Sequence, residues 1–352
     1  MFSNLTILDA STVLAGPSVG TFFAELGARV IKVENKQNPD VTRSWKLPSE
    51  DQNATVSAYF SSVNYKKEYI SLDLKNELDY QHFIDLIKKS DVLLSNFKFG
   101  DEEKLKVTDS ILRSFNPALI IGKINGFGSE SDRVAYDLIL QAETGFMSMN
   151  GTVESGPVKM PVAMIDVLAG HHLKEGLLLA IMEREKSRSA KTVTVSLYDA
   201  AVCSLMNQAS NYLMANHVPK RQGSLHPNIA PYGELFLTKD QQLITFAIGS
   251  DVHFKKLCLE LILPQLIDDE RFSSNQQRVQ HRDILKELLQ EKINERATNE
   301  LLENLLGQHV PAGKVNDLKQ VFEQSEAKSL IREEQIEHVS SKRVTSIAFK
   351  WE

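Results

Sequence analysis

The chain has 352 residues, 42% hydrophobic and 24% charged, with a formal net charge of −6 and an isoelectric point near 5.9. That length exceeds what one core ordinarily organises, so two domains are expected. The acidic balance excludes a protein that reads phosphate backbones through a basic stripe, while a small anion needing a few local cations remains compatible. No stretch approaches the roughly 18 apolar residues of a membrane span, so neither nucleic acid nor membrane is an expected partner. The opening MFSNLTILDA lacks the charged start and apolar run of a signal peptide, which points to the cytoplasm. The two cysteines, Cys203 in AVCSLM and Cys258 in KKLCLEL, read as buried thiols of a reducing compartment.

In chain order, Leu5 to Ala10 reads as a buried strand, AGPSVG as a turn, Val19 to Leu26 as a helix ending at Gly27, and Val30 to Val33 as a second strand. This is a βαβ unit. The alternation continues with strands at 69–74, 92–97 and 119–125 and a helix at 76–89. It implies a mainly parallel sheet covered on both faces, with ligands at the carboxyl ends of the strands. Those ends bring Glu34, Lys75, Asn96 and the loop after Asn125 to one rim. A long helix runs from Asp166, a strand spans 193–197 and a helix spans 199–215. HPNIAPYGE, residues 226–234, is rich in turn-forming types. The expected organisation is a large Rossmann-like α/β domain over 1–215, a linker over 216–233 and a small α+β domain over 234–314. Residues from about 315 onward are expected to return to the large domain.

Several short pieces share one resemblance. LAGP at 14–17, LGA at 26–28 and VIKVE at 30–34 come first, followed by SVN at 62–64 with Lys67 and SLDLK at 71–75. SNFKFG at 95–100, NGFG at 125–128, YDLILQAETG at 136–145 and DVLAG at 166–170 continue in the same order. VSLYDA at 195–200, HPNIAPYG at 226–233 and VPAGKV at 310–315 extend it to about residue 330. Each piece is weak alone, but together the order resembles the family III CoA-transferases of the CaiB/BaiF type. The resemblance implies two ring-like subunits threaded through each other as a homodimer. It implies a coenzyme A site in the large domain formed by Leu72, Lys75, Asn96 and Phe97, with Ala15 and Gly16 of the LAGP piece and Lys36. It also implies a catalytic carboxylate at Asp166, with Tyr136 and His226 near the acyl group of the substrate.

The chemistry suits that assignment. A carboxylate can attack a thioester because thiolate is a good leaving group, and covalent catalysis splits one exchange into several nearly isoenergetic steps. At a helix start, unpaired N–H groups and the macrodipole favour the ionised form, so Asp166 is expected to be ionised, whether as nucleophile or as simple N-cap. The oxyanion of the tetrahedral intermediates needs donors, for which the loops at Gly145 and Gly151 are candidates. Relatives that racemise 2-methylacyl-CoA carry a His before the Asp of the YDLILQAETG segment. Here that residue is Tyr136, and a tyrosine with a pKa of about 10 is a poor base at neutral pH. Racemase and non-catalytic CoA-binding dimer are the alternative readings, the latter drawing on the departures at Asn35, Tyr65 and Phe99. The adjacent His171 and His172 point in different directions on a helix, so no metal is expected.

Overall fold

The computed structural model describes residues 1–350. Six strands form one parallel sheet: β1 (Thr6–Ala10), β2 (Arg29–Asn35), β3 (Lys67–Leu72), β4 (Val92–Ser95), β5 (Ile120–Asn125) and β6 (Thr192–Ser196). Their order is β3-β2-β1-β4-β5-β6, the doubly wound order that switches direction between β1 and β4. The central strands read as apolar runs because both faces are covered; β4 is buried at every position.

On one face lie helix α1 (Ala15–Glu25) and a long helix between β5 and β6 in sequence, α2 (Met164–Ser187). Helix α2 turns Ile165, Ala169, Leu173, Leu177 and Ile181 toward Val19 and Phe23, the three-to-four-residue spacing of a helix face. Gly170 is required there, since a Cβ would lie 2.6 Å from Ser18 Oγ and 3.2 Å from the Ala15 carbonyl. On the other face the helix Glu77–Ile87 packs Phe83, Ile84 and Ile87 against Leu8, Ile31 and Leu93. A C-terminal hairpin of β-strands, Ile331–Ile336 and Val339–Val344, meets the end of α1. Arg343 ion-pairs with Glu25, Thr345 Oγ1 donates to Glu25 at 2.6 Å, and Glu337 meets Arg43 at 3.1 Å.

The chain divides into two compact units. The first comprises 1–147, 159–219 and the segment from Ser329 on; the second comprises 148–158 and 220–328. In the second, strands Tyr232–Leu237, Leu243–Ala247 and Ala312–Lys314 form a small antiparallel sheet over a core that includes Phe236, Phe246, Leu257 and Leu289. Among the described residues no helix is long and apolar enough to cross a membrane.

Three local expectations are corrected. The first helix begins at Ala15, because Pro17 sits in the first turn, where its missing N–H costs nothing. The stretch 199–215 is two helices, Leu197–Cys203 and Met206–Ala215, broken where Met206 has φ 46°. Cys203 is exposed rather than buried, whereas Cys258 is buried and its thiol is pushed up to about 12 by burial.

Candidate active site

Helix α2 starts two residues before Asp166, with Ala163 at the N-cap position and no side-chain cap. Asp166 is therefore inside the first turn and does not open the helix. The N–H of Ile165 is taken by Asp137, whose Oδ1 accepts it at 2.7 Å. Asp137 Oδ2 accepts from Gln141 Nε2 at 2.6 Å, and Gln141 Oε1 accepts the Met160 N–H at 2.7 Å. This relay fixes the start of α2 through a carboxylate from another helix.

Asp166 itself is 8% exposed. Burial raises its pKa to about 7, and the neighbouring Asp137 charge pushes the same way. Among the described residues no cation and no hydrogen bond acts against them. The lowering expected from the helix start is not what the site shows: desolvation is the larger influence, and the Asp137 charge adds to it. Tyr59, on the short helix Ala58–Ser62, shares this neighbourhood. Burial first, then the charges of Asp166, Asp137 and Asp40, push its hydroxyl up to about 12. Its ring meets Trp45 edge-on at 5.1 Å. Sequence reasoning missed Asp137, Tyr59 and Trp45. Asp137 was legible as the residue after Tyr136, but nothing in AYFSS marks Tyr59 beyond its place before SVN. Tyr136 is 54% exposed, at the N-cap position of the helix Asp137–Glu143.

The residues assigned to coenzyme A separate into three groups. Asn96 and Phe97 line a cavity of about 630 Å³ at the carboxyl ends of β4 and β5, together with Lys98, Lys104 and Lys123. Lys123 is held at 2.7 Å by both Glu102 and Asp109 and Lys104 meets Asp101 at 3.4 Å, which leaves Lys98 as the cation with most freedom there. The Asn96 amide is already engaged, accepting the Thr12 N–H and donating to the Thr12 carbonyl, both at 3.0 Å. Lys36 pairs with Asp79 at 2.7 Å, and Lys75 is an exposed side chain at the turn after β3. Leu72 and Ala15 are core residues, and a Cβ on Gly16 would fall 2.4 Å from Ser11 Oγ. Neither those three nor Lys36 and Lys75 line that cavity.

His226 belongs to the second unit. Its Nδ1 accepts the Asn228 N–H at 3.1 Å, its carbonyl accepts from Arg282 at 2.9 Å, and its ring packs on Tyr232 at 5.0 Å. Gly145 follows the helix that carries Asp137, while Gly151 lies in the second unit. Among the described residues no group of three His, Cys, Asp or Glu side chains is placed to hold a metal.

The large unit thus combines a doubly wound sheet, a cavity at its carboxyl rim and, on a following helix, a buried carboxyl without a partner among the described residues, and comparison supplies the class. Residues 2–352 match the family described as CoA-transferase family III, and the chain belongs to it. The succinate–glutarate CoA-transferase of Agrobacterium fabrum is 34% identical over 91% of this chain and 81% of its own length. Human succinyl-CoA:glutarate CoA-transferase is 32% identical over 91% of this chain and 72% of its own. The crystal structure of a CaiB/BaiF family protein from Brucella suis superposes with a TM-score of 0.86 at 32% identity, covering 98% of this chain and 91% of that one.

Proposed function

We propose that this CoA-transferase works through Asp166 as a covalent nucleophile on small carboxylic acids. The observation that carries the reading is a carboxyl 8% exposed in the first turn of α2, without cation or hydrogen bond among the described residues. Such a carboxylate is poorly solvated and basic, which makes it reactive toward a thioester. Near pH 7 a large fraction of it is ionised.

In the first step the Asp166 carboxylate attacks the thioester carbonyl, the C–S bond breaks and CoA leaves as thiolate, giving an acyl-aspartyl anhydride. The thiolate then attacks the Asp166 carbonyl carbon, and the donor acid leaves as carboxylate, giving an aspartyl-CoA thioester. The acceptor carboxylate attacks that thioester, and the released thiolate attacks the acyl carbon of the new anhydride. The new acyl-CoA forms and Asp166 is freed. The cavity lined by Asn96, Phe97, Lys98 and Lys104 offers a place for the nucleotide end of CoA, cations on its rim facing phosphates. Inversion of an α-carbon by two bases gains no support, because Tyr136 stands where the racemising relatives carry a His. The helix Met206–Ala215 buries none of its residues and exposes Met206, Leu213 and Met214, an apolar face suited to a second copy of the chain.

The test is intact-mass spectrometry after incubation with succinyl-CoA and glutarate, the pair the relatives' names suggest, and with other acyl-CoA donors. Borohydride or hydroxylamine trapping should mark Asp166, and Asp166→Asn should carry no mark. Spectra recorded under native conditions should give two copies per assembly. An unmarked Asp166 with every donor, in a protein that binds CoA, sinks the nucleophile.

A further inference from the structure

Between the end of β1 and the start of α1 lie Ser11, Thr12, Val13 and Leu14, at the point where the sheet order switches direction. Val13 has φ 73°, a region that β-branched residues rarely occupy. The backbone of this loop is gripped residue by residue. Asp9 Oδ1 accepts the Ser11 N–H at 3.1 Å, and Lys32 Nζ donates to the Ser11 carbonyl. Asn96 clamps Thr12 on both sides. Asp40 Oδ2 accepts the Val13 N–H at 3.1 Å.

Asp40 is in turn built to stay in place. It is 2% exposed, ion-pairs with Lys32 at 3.2 Å, and accepts from Thr42 N–H and Oγ1 at 3.0 and 2.7 Å. Its own N–H donates to Glu34 at 2.9 Å, and Glu34 is held by Arg43 at 2.6 Å. Buried ion pairs contribute little net stability compared with apolar packing, so a network of them is better explained by the geometry it imposes. That geometry reaches the site in two ways. The first turn of α1 touches α2 at Gly170, one turn beyond Asp166. Asn96, which clamps Thr12, lines the cavity as well.

We propose that Asp40 is a positioning residue for the transfer reaction: it holds Val13 in the left-handed conformation and so sets the β1–α1 loop between the CoA cavity and Asp166. The inference rests on Asp166 being the nucleophile of CoA transfer. Without the carboxylate's charge on its N–H, Val13 relaxes toward an ordinary φ and the loop shifts. A glycine at position 13 holds the same φ without help.

The experiment compares wild type, Asp40→Asn, and Asp40→Asn with Val13→Gly, measuring single-turnover acylation of Asp166, kcat and KM, and thermal unfolding. Asp40→Asn should lower the acylation rate about 10- to 100-fold, the usual effect of a small misplacement. The added Val13→Gly should restore most of that rate while leaving the melting temperature at or below that of the single variant. A rate that follows the melting temperature, or no rescue by Val13→Gly, overturns the proposal. If Asp40→Asn does not fold, Thr42→Val, which removes one bond to the Asp40 carboxylate, is paired with Val13→Gly in the same way. Wild type that never acylates Asp166 defeats the transfer reading and this one with it. Acylation in wild type with an unchanged rate in Asp40→Asn defeats this one alone.

Discussion

Two buried carboxyl groups in the same unit behave in opposite ways. Asp9, wholly buried at the end of β1, meets Lys67 Nζ at 2.7 Å. Burial works against its charge, but the Lys67 and Lys32 ammonium groups and the hydrogen bonds from Lys67 and Ser11 outweigh it, so its pKa lies below the usual carboxylate value. Lys67, lowered to about 8 by burial, stays cationic at neutral pH, donating also to Asn64 and to the carbonyls of Pro17 and Val63. Asp166 is buried to a similar degree with no partner among the described residues, and its pKa rises to about 7. Depth sets the size of the electrostatic penalty, and the neighbours decide whether the group resolves it by pairing or by holding a proton. The paired carboxylate ties the interior strand β1 to β3 across β2; the unpaired one is left reactive.

The contrast can be broken most severely at Lys67. Lys67→Met strands the Asp9 charge, and chemical denaturation should show a loss of about 3–5 kcal/mol. Adding Asp9→Asn should recover part of it, and a single variant as stable as wild type would contradict the pairing. The reverse effect is expected at Asp166. A carboxyl with a raised folded pKa is bound to a proton in the native state over a window where the unfolded chain has lost it, so stability falls as pH rises from about 4 to about 7. Asp166→Asn removes that cost, about 1.4 kcal/mol for each pH unit of that window, up to about 4 kcal/mol above pH 7 and nothing near pH 3. Melting curves across pH check this, and a variant no more stable at pH 8 than wild type contradicts it. The smallest effect sharpens the cause. The kcat/KM profile should rise through pH 7 as Asp166 ionises, and Asp137→Asn should move that inflection downward, because a like charge has been removed. An inflection that stays in place assigns the raised pKa to burial alone.

Much of the large unit's organisation was legible because parallel strands announce themselves as apolar runs separated by helices, as Ile7–Leu8 and Val92–Leu94 do. The boundaries that failed have local reasons. Pro17 reads as a turn residue although it fits a first helical turn, and the break at Met206 has no residue type that signals it. At the candidate site, the resemblance points to Asp166, but the electrostatic state of that residue was not legible, since it depends on burial and on the charge of Asp137, which the fold brings beside it. The motif position of Leu72 carries its assignment to coenzyme A, while the packing of its side chain with Phe83 and Ile84 joins β3 to the helix that follows, which no motif displays. The network of Asp9, Lys32, Asp40 and Lys67 was invisible because charges on separate strands look like solvated surface until register puts Asp9 beside Lys32.

The C-terminal hairpin carries a consequence for how the protein is made. A ribosome releases the chain from its first residue, at roughly 5–20 residues per second. All six strands of the parallel sheet emerge before most of the second unit is synthesised, yet Glu25, Arg43 and Lys66 meet partners that come much later, from Arg343, Glu337 and Glu334. The sheet-bearing unit therefore cannot complete its own surface early in synthesis, and Glu25, Arg43 and Lys66 lack these partners until the hairpin has left the ribosome. The second unit needs no residue of that hairpin, so a nascent chain stalled near residue 328 is expected to hold a finished small body and an unfinished large one.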